Sequence, residues 1–413
     1  MKKNISEVFI PGGLPVDTYV KRRSLGMESI VEDWNSGPHT TILVVSGPTK
    51  SGKTVLVRKI FEDAVWFSGG EIDSADEFWE GICEEFDEDV QFSESLTITN
   101  SSHSEKSGGV DVGVLSGGIS KQSGRQNQSS SSVIRKLSPK RQARKVLIQE
   151  KPTVVLDDFH YIPSEEQKKI IRGLKDPVFS GVPVILLAVP HHSHDVVRGE
   201  KEMTGRVSNA TFSVWDVSDL SKIGEYGFRA LDMDVNSSII KRLARESFGS
   251  PHLMQGHCLE LANRVSRGNP PENEEEWRDF FVNRVSREAR SSFDLLRQGP
   301  RQRSDRKVRY LKSGVSTDIY GATLSAIANT GPKSEIQYEE IRSALREVLR
   351  DDVPQRHEIT NVLEQMSDIA LNKIDGEPVI EYDKEYSRVY VVDPFFLYFM
   401  RWSDEMEDSI DLS

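Results

Sequence analysis

The run Gly47-Pro48-Thr49-Lys50-Ser51-Gly52-Lys53-Thr54 carries the clearest chemistry in this chain. A glycine, four open positions, then glycine, lysine and a hydroxyl residue is the spacing of a phosphate-binding loop. Glycines let such a loop wind tightly, so that several backbone N–H groups point inward at phosphate oxygens. Lys53 then reaches the β- and γ-phosphates, and Thr54 offers a hydroxyl to Mg²⁺. The helix that begins there adds the positive end of its dipole. A metal held in this way needs a carboxylate from the end of a nearby strand. Val154-Val155-Leu156-Asp157-Asp158 supplies it, with Asp157 orienting Mg²⁺ and Asp158 polarising the attacking water. The expected ligands are Mg²⁺ and a nucleoside triphosphate, ATP or GTP. Asn372-Lys373-Ile374-Asp375 matches a guanine-reading pattern, but it falls between a helix and a hairpin far from the loop and reads as a turn.

These residues need a frame. Residues 41–46 form a β-branched apolar run, which predicts a buried strand entering the loop, and a helix leaves it to about residue 62. Residues 64–67, 153–158 and 182–189 predict three more strands. A helix from Ser74 carries Phe78, Trp79, Ile82 and Phe86 at helical spacing, and another covers 164–174. Strands alternating with helices predict an α/β core over 40–215, with a parallel sheet covered on both faces. Residues 93–132 are rich in Ser and Gly and read as a flexible insertion, followed by a basic helix with Arg135, Lys136, Lys140, Arg141, Arg144 and Lys145. Residues 216–297 read as a helical lid, with helices at 220–230, 237–247, 251–265 and 274–296. Residues 298–312 read as a basic linker. In 313–413, three helices (319–329, 338–349, 358–371) precede two short strands (378–382, 388–392). That order is the pattern of a winged helix. An aromatic helix over 393–402 closes it, and residues 1–39 form an N-terminal segment.

Composition narrows the class. The net charge of −12 excludes a protein that coats nucleic acid by bulk positive charge. The apolar runs are far shorter than the roughly 20 residues of a membrane span. Cys83 and Cys258 are too few for a disulfide framework or a four-cysteine zinc site, and read as buried thiols of a cytoplasmic protein. Residues 284–312 are locally basic, opposed only by Glu288, Asp294 and Asp305. They read as a solvated linker helix. DNA contact there, or through the winged helix, is the alternative, although Glu358, Glu364 and Asp368 make the third helix acidic.

Across about residues 15–265 the two motifs resemble the Walker A and Walker B motifs of the AAA+ and STAND branch of P-loop ATPases. The resemblance implies a signal-transduction ATPase that switches by oligomerising. Asp157-Asp158, in place of the Asp-Glu usual in AAA+ enzymes, is closer to STAND proteins and suits slow hydrolysis. By the same resemblance, His191 stands where a γ-phosphate sensor is placed. Arg206 stands where an arginine finger reaches a neighbouring subunit. Pro251, in Gly249-Ser250-Pro251, matches a lid segment that touches nucleotide, while a plain cap by Ser250 with Pro251 at the first helical position explains the same residues. Thr18–Arg23 matches the position of an adenine-contacting box, with Tyr19 stacking on the base and Arg22 or Arg23 approaching phosphate, while an aromatic packing under the sheet is the other reading of Tyr19. The aromatic ending at 393–402 resembles that of winged-helix regions in such ATPases. The expected function is an ATP-hydrolysing switch, homo-oligomeric, acting as a regulatory or sensor subunit with a separate effector, with anti-phage defence as a setting. The alternative is a DNA-binding ATPase resembling origin initiators or transposition helpers.

Overall fold

Two helices precede the first strand: the single turn α1 (Ile5–Val8), capped reciprocally by Asn4 and Glu7, and α2 (Met27–Asn35). The computed structural model describes residues 3–22, 26–86, 95–96, 133–134, 138–189, 205–300, 306–374 and 378–403. Arg23, His191, Asp375 and nearly all of the 93–132 insertion lie outside them.

β1 (Ile42–Ser46) is buried along its whole length, as a strand covered on both faces must be. It passes through the glycine-rich loop into α3 (Lys53–Ile60). β2 (Val65–Ser68) and α4 (Ala75–Glu85) follow, and Ser74 and Glu77 close the α4 start in a reciprocal cap. A two-residue antiparallel ladder, β3 (Ser95–Leu96) on β4 (Val133–Ile134), leads to α5 (Pro139–Glu150). Then come β5 (Val154–Asp157), α6 (Ser164–Phe179), β6 (Val184–Ala188) and β7 (Val207–Thr211). The main sheet is parallel in the order β2-β5-β6-β1-β7. Alternate residues feed its two faces: Val44, Leu156 and Leu186 pack with Phe78, Trp79 and Leu174, while Leu43, Val45 and Ile185 pack with Val31 and Val57. β7 is absent from the sequence expectation because Val207-Ser-Asn-Ala-Thr211 is a polar edge strand that buries only Ala210.

The lid begins with α7 (Val217–Ala230), α8 (Ser237–Arg245) and α9 (Pro251–Ser266). The single helix expected over 274–296 is two, α10 (Glu274–Val282) and α11 (Arg287–Gln298), and the Ser286 side chain caps the second. The break redirects the apolar stripe. Trp277, Phe280 and Phe281 of α10 enter the lid core, while Ala289, Phe293 and Leu296 of α11 enter the C-terminal core.

After the short ladder β8 (Arg309–Tyr310) on β9 (Ser316–Thr317), the C-terminal part runs α12 (Ile319–Asn329), β10 (Glu335–Gln337), α13 (Tyr338–Val348), α14 (Arg356–Lys373), β11 (Ile380–Asp383), β12 (Arg388–Val391) and α15 (Pro394–Trp402). Its sheet is antiparallel in the order β10-β12-β11. α15 serves two cores. Phe396, Phe399 and Met400 fill the C-terminal one, while Tyr398 enters the lid and donates its hydroxyl to the Phe281 carbonyl at 2.8 Å. Trp402 stacks on Phe281 and donates to Glu246. Three charges of the basic stretch are drawn inward. Arg306 pairs with Asp318 at 2.7 Å, the buried Arg309 lies 3.8 Å from Glu358, and burial lowers the Arg284 pKa. No helix among the described residues is long and apolar enough to cross a membrane.

Candidate functional site

The loop between β1 and α3 is held by close packing. A Cβ on Gly47 would stand 2.5 Å from the Cβ of Phe212, so no larger residue fits between the loop and the end of β7. Gly52 turns into α3 at φ 91°, where a side chain would be strained. The Trp215 indole donates to the Ser51 carbonyl at 2.8 Å and braces the outer side. Lys53 is buried, and its Nζ donates to the carbonyls of Gly47 and Pro48 at 2.8 and 2.9 Å. The hydroxyls of Thr49 and Ser51 are buried in the same loop without a partner among the described residues. Buried donors left unspent are costly unless a ligand meets them.

Thr54 is the second residue of α3, and its Oγ1 donates to Asp157 Oδ2 at 3.1 Å. The two come from different strand ends: β5, which carries Asp157, is separated from β1 by β6. Asp158 follows in the left-handed region at φ 50°. A Cβ on Gly69 would stand 2.2 Å from its carbonyl oxygen, which explains the glycine beside it. The Asp158 carboxyl is raised above its ordinary pKa, first by burial and then by the Asp157 charge, with Lys53 opposing. A hydroxyl and a carboxylate held together are the hard oxygen donors that Mg²⁺ takes, so the residues present fit that ion.

Lys53, Thr54 and Asp158 face a cavity of about 540 Å³, whose walls also include Tyr19, Glu28, Pro251 and Asp393. The N-terminal segment, the sheet, the lid and the C-terminal part all reach it. Pro251 is the first residue of α9, and Ser250 caps that helix by accepting from the Leu253 N–H. Cap and cavity wall thus coincide. Tyr19 lines the cavity, donates its hydroxyl to Glu28 Oε1 at 2.9 Å, and sets its ring 3.7 Å from Lys59 Nζ. Arg22 lines the same cavity, with its guanidinium engaged by the protein. Its guanidinium donates to the carbonyls of Ser213 and Val214, lies over Trp215, and stands 3.6 Å from Asp219. It ties the N-terminal segment to the start of the lid.

Arg206 lies at the other end of the sheet. It precedes Val207, which pairs with Ile42 at the start of β1, whereas the loop follows Ser46 at its end. Five strand residues at about 3.3 Å each separate them, roughly 16 Å, so Arg206 does not serve its own subunit's loop. Its guanidinium lies 5.7 Å from the ring centre of the exposed Phe179. Three wall or brace residues escape the sequence expectation: Glu28, Trp215 and Asp393. Glu28 reads as an acid favouring a helix start, and Asp393 as a helix cap.

Among solved structures, the chain is similar to the Walker-type ATPase of Pyrococcus abyssi, with TM-score 0.53 and 15% identity over 92% of this chain and 96% of that one. It is also similar to the ORC2 protein of Aeropyrum pernix solved with ADPNP and ADP, with TM-score 0.50 and 11% identity over 95% and 96%. At these identities the likeness is one of fold. No protein-family model matches the chain, and no curated protein does.

Proposed function

We propose that this chain, whose fold is that of the AAA+ Walker-type ATPases, binds ATP with Mg²⁺ and hydrolyses it slowly as a molecular switch. The observation that carries the reading is the contact between Thr54 and Asp157 at 3.1 Å, which joins the phosphate loop to the metal-orienting carboxylate. Lys53 would turn its ammonium from two loop carbonyls to phosphate oxygens. Mg²⁺, when bound by Thr54 and Asp157, neutralises phosphate charge. Asp158 orients the attacking water and accepts its proton, a task that a raised pKa favours. Calorimetry with Mg-ATP on the wild type and on Lys53→Ala tests this. Micromolar binding is expected for the first and none for the second.

The switch reading is supported by the cavity's composition, because Asp393 of the C-terminal part shares it with the loop. The order helix, strand, helix, helix, hairpin supports a winged helix there. Homo-oligomerisation with Arg206 in trans, and action through a separate effector in anti-phage defence, rest on the resemblance seen in the sequence. DNA binding is the second reading, supported by the winged-helix order and opposed by the inward turn of Arg306 and Arg309. Anisotropy titrations of duplex DNA at two salt concentrations separate the readings.

A further inference from the structure

Glu28 is a carboxylate set into the wall of the nucleotide cavity, and only 8% of it is exposed. Its Oε1 accepts two hydrogen bonds, from the Tyr19 hydroxyl at 2.9 Å and from the Arg22 backbone N–H at 3.4 Å. Its Oε2 has no partner among the described residues. That oxygen is not among the fully buried unpartnered atoms, so it stays open on the cavity side, where a ligand N–H can meet it. The cavity is where such a donor would come from.

The position of Glu28 along the cavity says which part of a nucleotide that is. Tyr19, its hydrogen-bond partner, lies against Lys59 in the last turn of α3. Lys59 is 59 − 53 = 6 residues beyond Lys53, about 9 Å along the helix from the phosphate-binding end. Ile10, Val20 and Ile223 line the same cavity and offer apolar surface to the faces of a ring. The Glu28 end therefore receives the base rather than the phosphates.

We propose that Glu28 selects the base, its Oε2 accepting a hydrogen bond from the exocyclic amine of a 6-aminopurine. The proposal rests on the ATP reading above and adds to it a residue that reads the nucleotide's identity. A carboxylate only accepts. An oxygen at the same purine position, as in hypoxanthine or guanine, would set two acceptors face to face. Guanine's paired N1–H and N2–H edge is matched by a carboxylate with both oxygens open, and Oε1 is already taken by two donors, so only a single bond to Oε2 is left for it. A site built around one hydrogen bond rejects the analogue that lacks it far better than an apolar pocket does.

The test is a set of dissociation constants for ATP, for ITP, which differs at the 6-position and in the N1 proton, and for purine riboside triphosphate, which carries only hydrogen at position 6. They are measured on the full chain with Mg²⁺. The wild type should bind ATP at least tenfold tighter than both analogues. Glu28→Gln can turn its amide to donate to an oxygen, so the ATP to ITP ratio should fall toward one. A merely structural Glu28 would weaken all three nucleotides together in Glu28→Gln and leave the ratio unchanged; that result overturns the proposal. Equal affinities in the wild type overturn it too, whether or not the variant folds. If no nucleotide binds the wild type, the ATP reading itself fails, and the two failures are thereby told apart.

Discussion

Lys50 of the phosphate loop and Asp393 at the cap of the last helix form an ion pair at 3.1 Å across 343 positions of sequence. The same ammonium lies 4.0 Å from the ring centre of Phe395. Lys50 stands in the left-handed region at φ 58°, which is uncommon for a lysine. The loop that would hold phosphate is thus tied directly to the C-terminal part. The pair is partly exposed and contributes about 1 kcal/mol at most by itself. Its reach matters more, because any shift of the loop on nucleotide exchange pulls on α15. Lys50→Ala should therefore speed release of a fluorescent ADP analogue several-fold, with little change in melting temperature. Asp393→Ser, which keeps a capping oxygen for the Phe395 N–H, should match it in a stopped-flow trace. Unaltered release in both would make the pair incidental.

The phosphate loop gives a second expectation. Lys53→Ala removes the buried charge of the loop, and the carbonyls of Gly47 and Pro48 that it meets are backbone groups of the same loop. ATP affinity should fall by a hundredfold or more. The melting temperature should stay within a few degrees of wild type in a thermal scan without nucleotide.

The roles proposed for the two aspartates predict different phenotypes. Asp157→Asn keeps a hydrogen-bonding shape for Thr54 but loses the metal-holding charge, so the Mg²⁺ needed for half-maximal binding should rise steeply. Asp158→Asn should leave ATP and Mg²⁺ binding intact and slow turnover by 10²-fold or more. Because burial and Asp157 raise the Asp158 pKa, wild-type turnover should decline on the acid side at a higher pH than an ordinary aspartate would give. Reversed phenotypes would show that the roles belong to the other residue of the pair.

Local pattern made the central strand and its loop readable. Isoleucine, leucine and valine fill β1, and the glycine, lysine and threonine positions of the loop are strict. β7 stayed hidden because an edge strand with one buried residue does not alternate as a strand in a covered sheet would. α10 and α11 read as one helix because Trp277, Phe280 and Phe281, and then Phe293 and Leu296, each keep helical spacing on their own side of the break. Only Ser286, a cap in mid-pattern, marks the turn. Glu28 and Asp393 carry no local signal at all. Each is an ordinary acid near a helix start, and each acquires a site role only when distant chain segments meet at the cavity.

His257 gives a pH expectation with a definite sign. It lies fully buried in α9 between Phe281 and Tyr398, with ring centres 5.5 and 5.3 Å away. Burial, and then the Arg284 charge, push its pKa down to about 3. In the unfolded chain a histidine titrates near 6.5, so between those values the unfolded state holds the extra proton. Stability from this group is complete above about pH 6.5 and falls as pH drops, by about 1.4 kcal/mol per unit inside the window. Glu246, raised by burial, acts in the opposite sense, so the difference between proteins is what counts. Denaturant midpoints at pH 7.5 and 5 should drop less in His257→Leu than in the wild type. An equal drop would mean that the histidine is not the acid-sensitive group of the lid interface.

Arg206 tests whether the chain works alone. It stands at the start of β7, while the phosphate loop stands at the opposite end of the neighbouring β1, so the arginine acts on a second copy or on none. A guanidinium reaching a neighbour's γ-phosphate adds nothing to ATP affinity in the monomer. It contributes several kcal/mol to the transition state only when subunits meet. Arg206→Ala should bind ATP as wild type does, lose most turnover, and show weaker ATP-dependent self-association in sedimentation runs. Mixing it with Lys53→Ala protein should restore part of the activity. The Lys53→Ala subunit keeps the finger, and the Arg206→Ala subunit keeps the phosphate loop, so a mixed interface rebuilds one complete site. Turnover that stays at the wild-type level across all protein concentrations would leave Arg206 as the surface partner of Phe179 and nothing more.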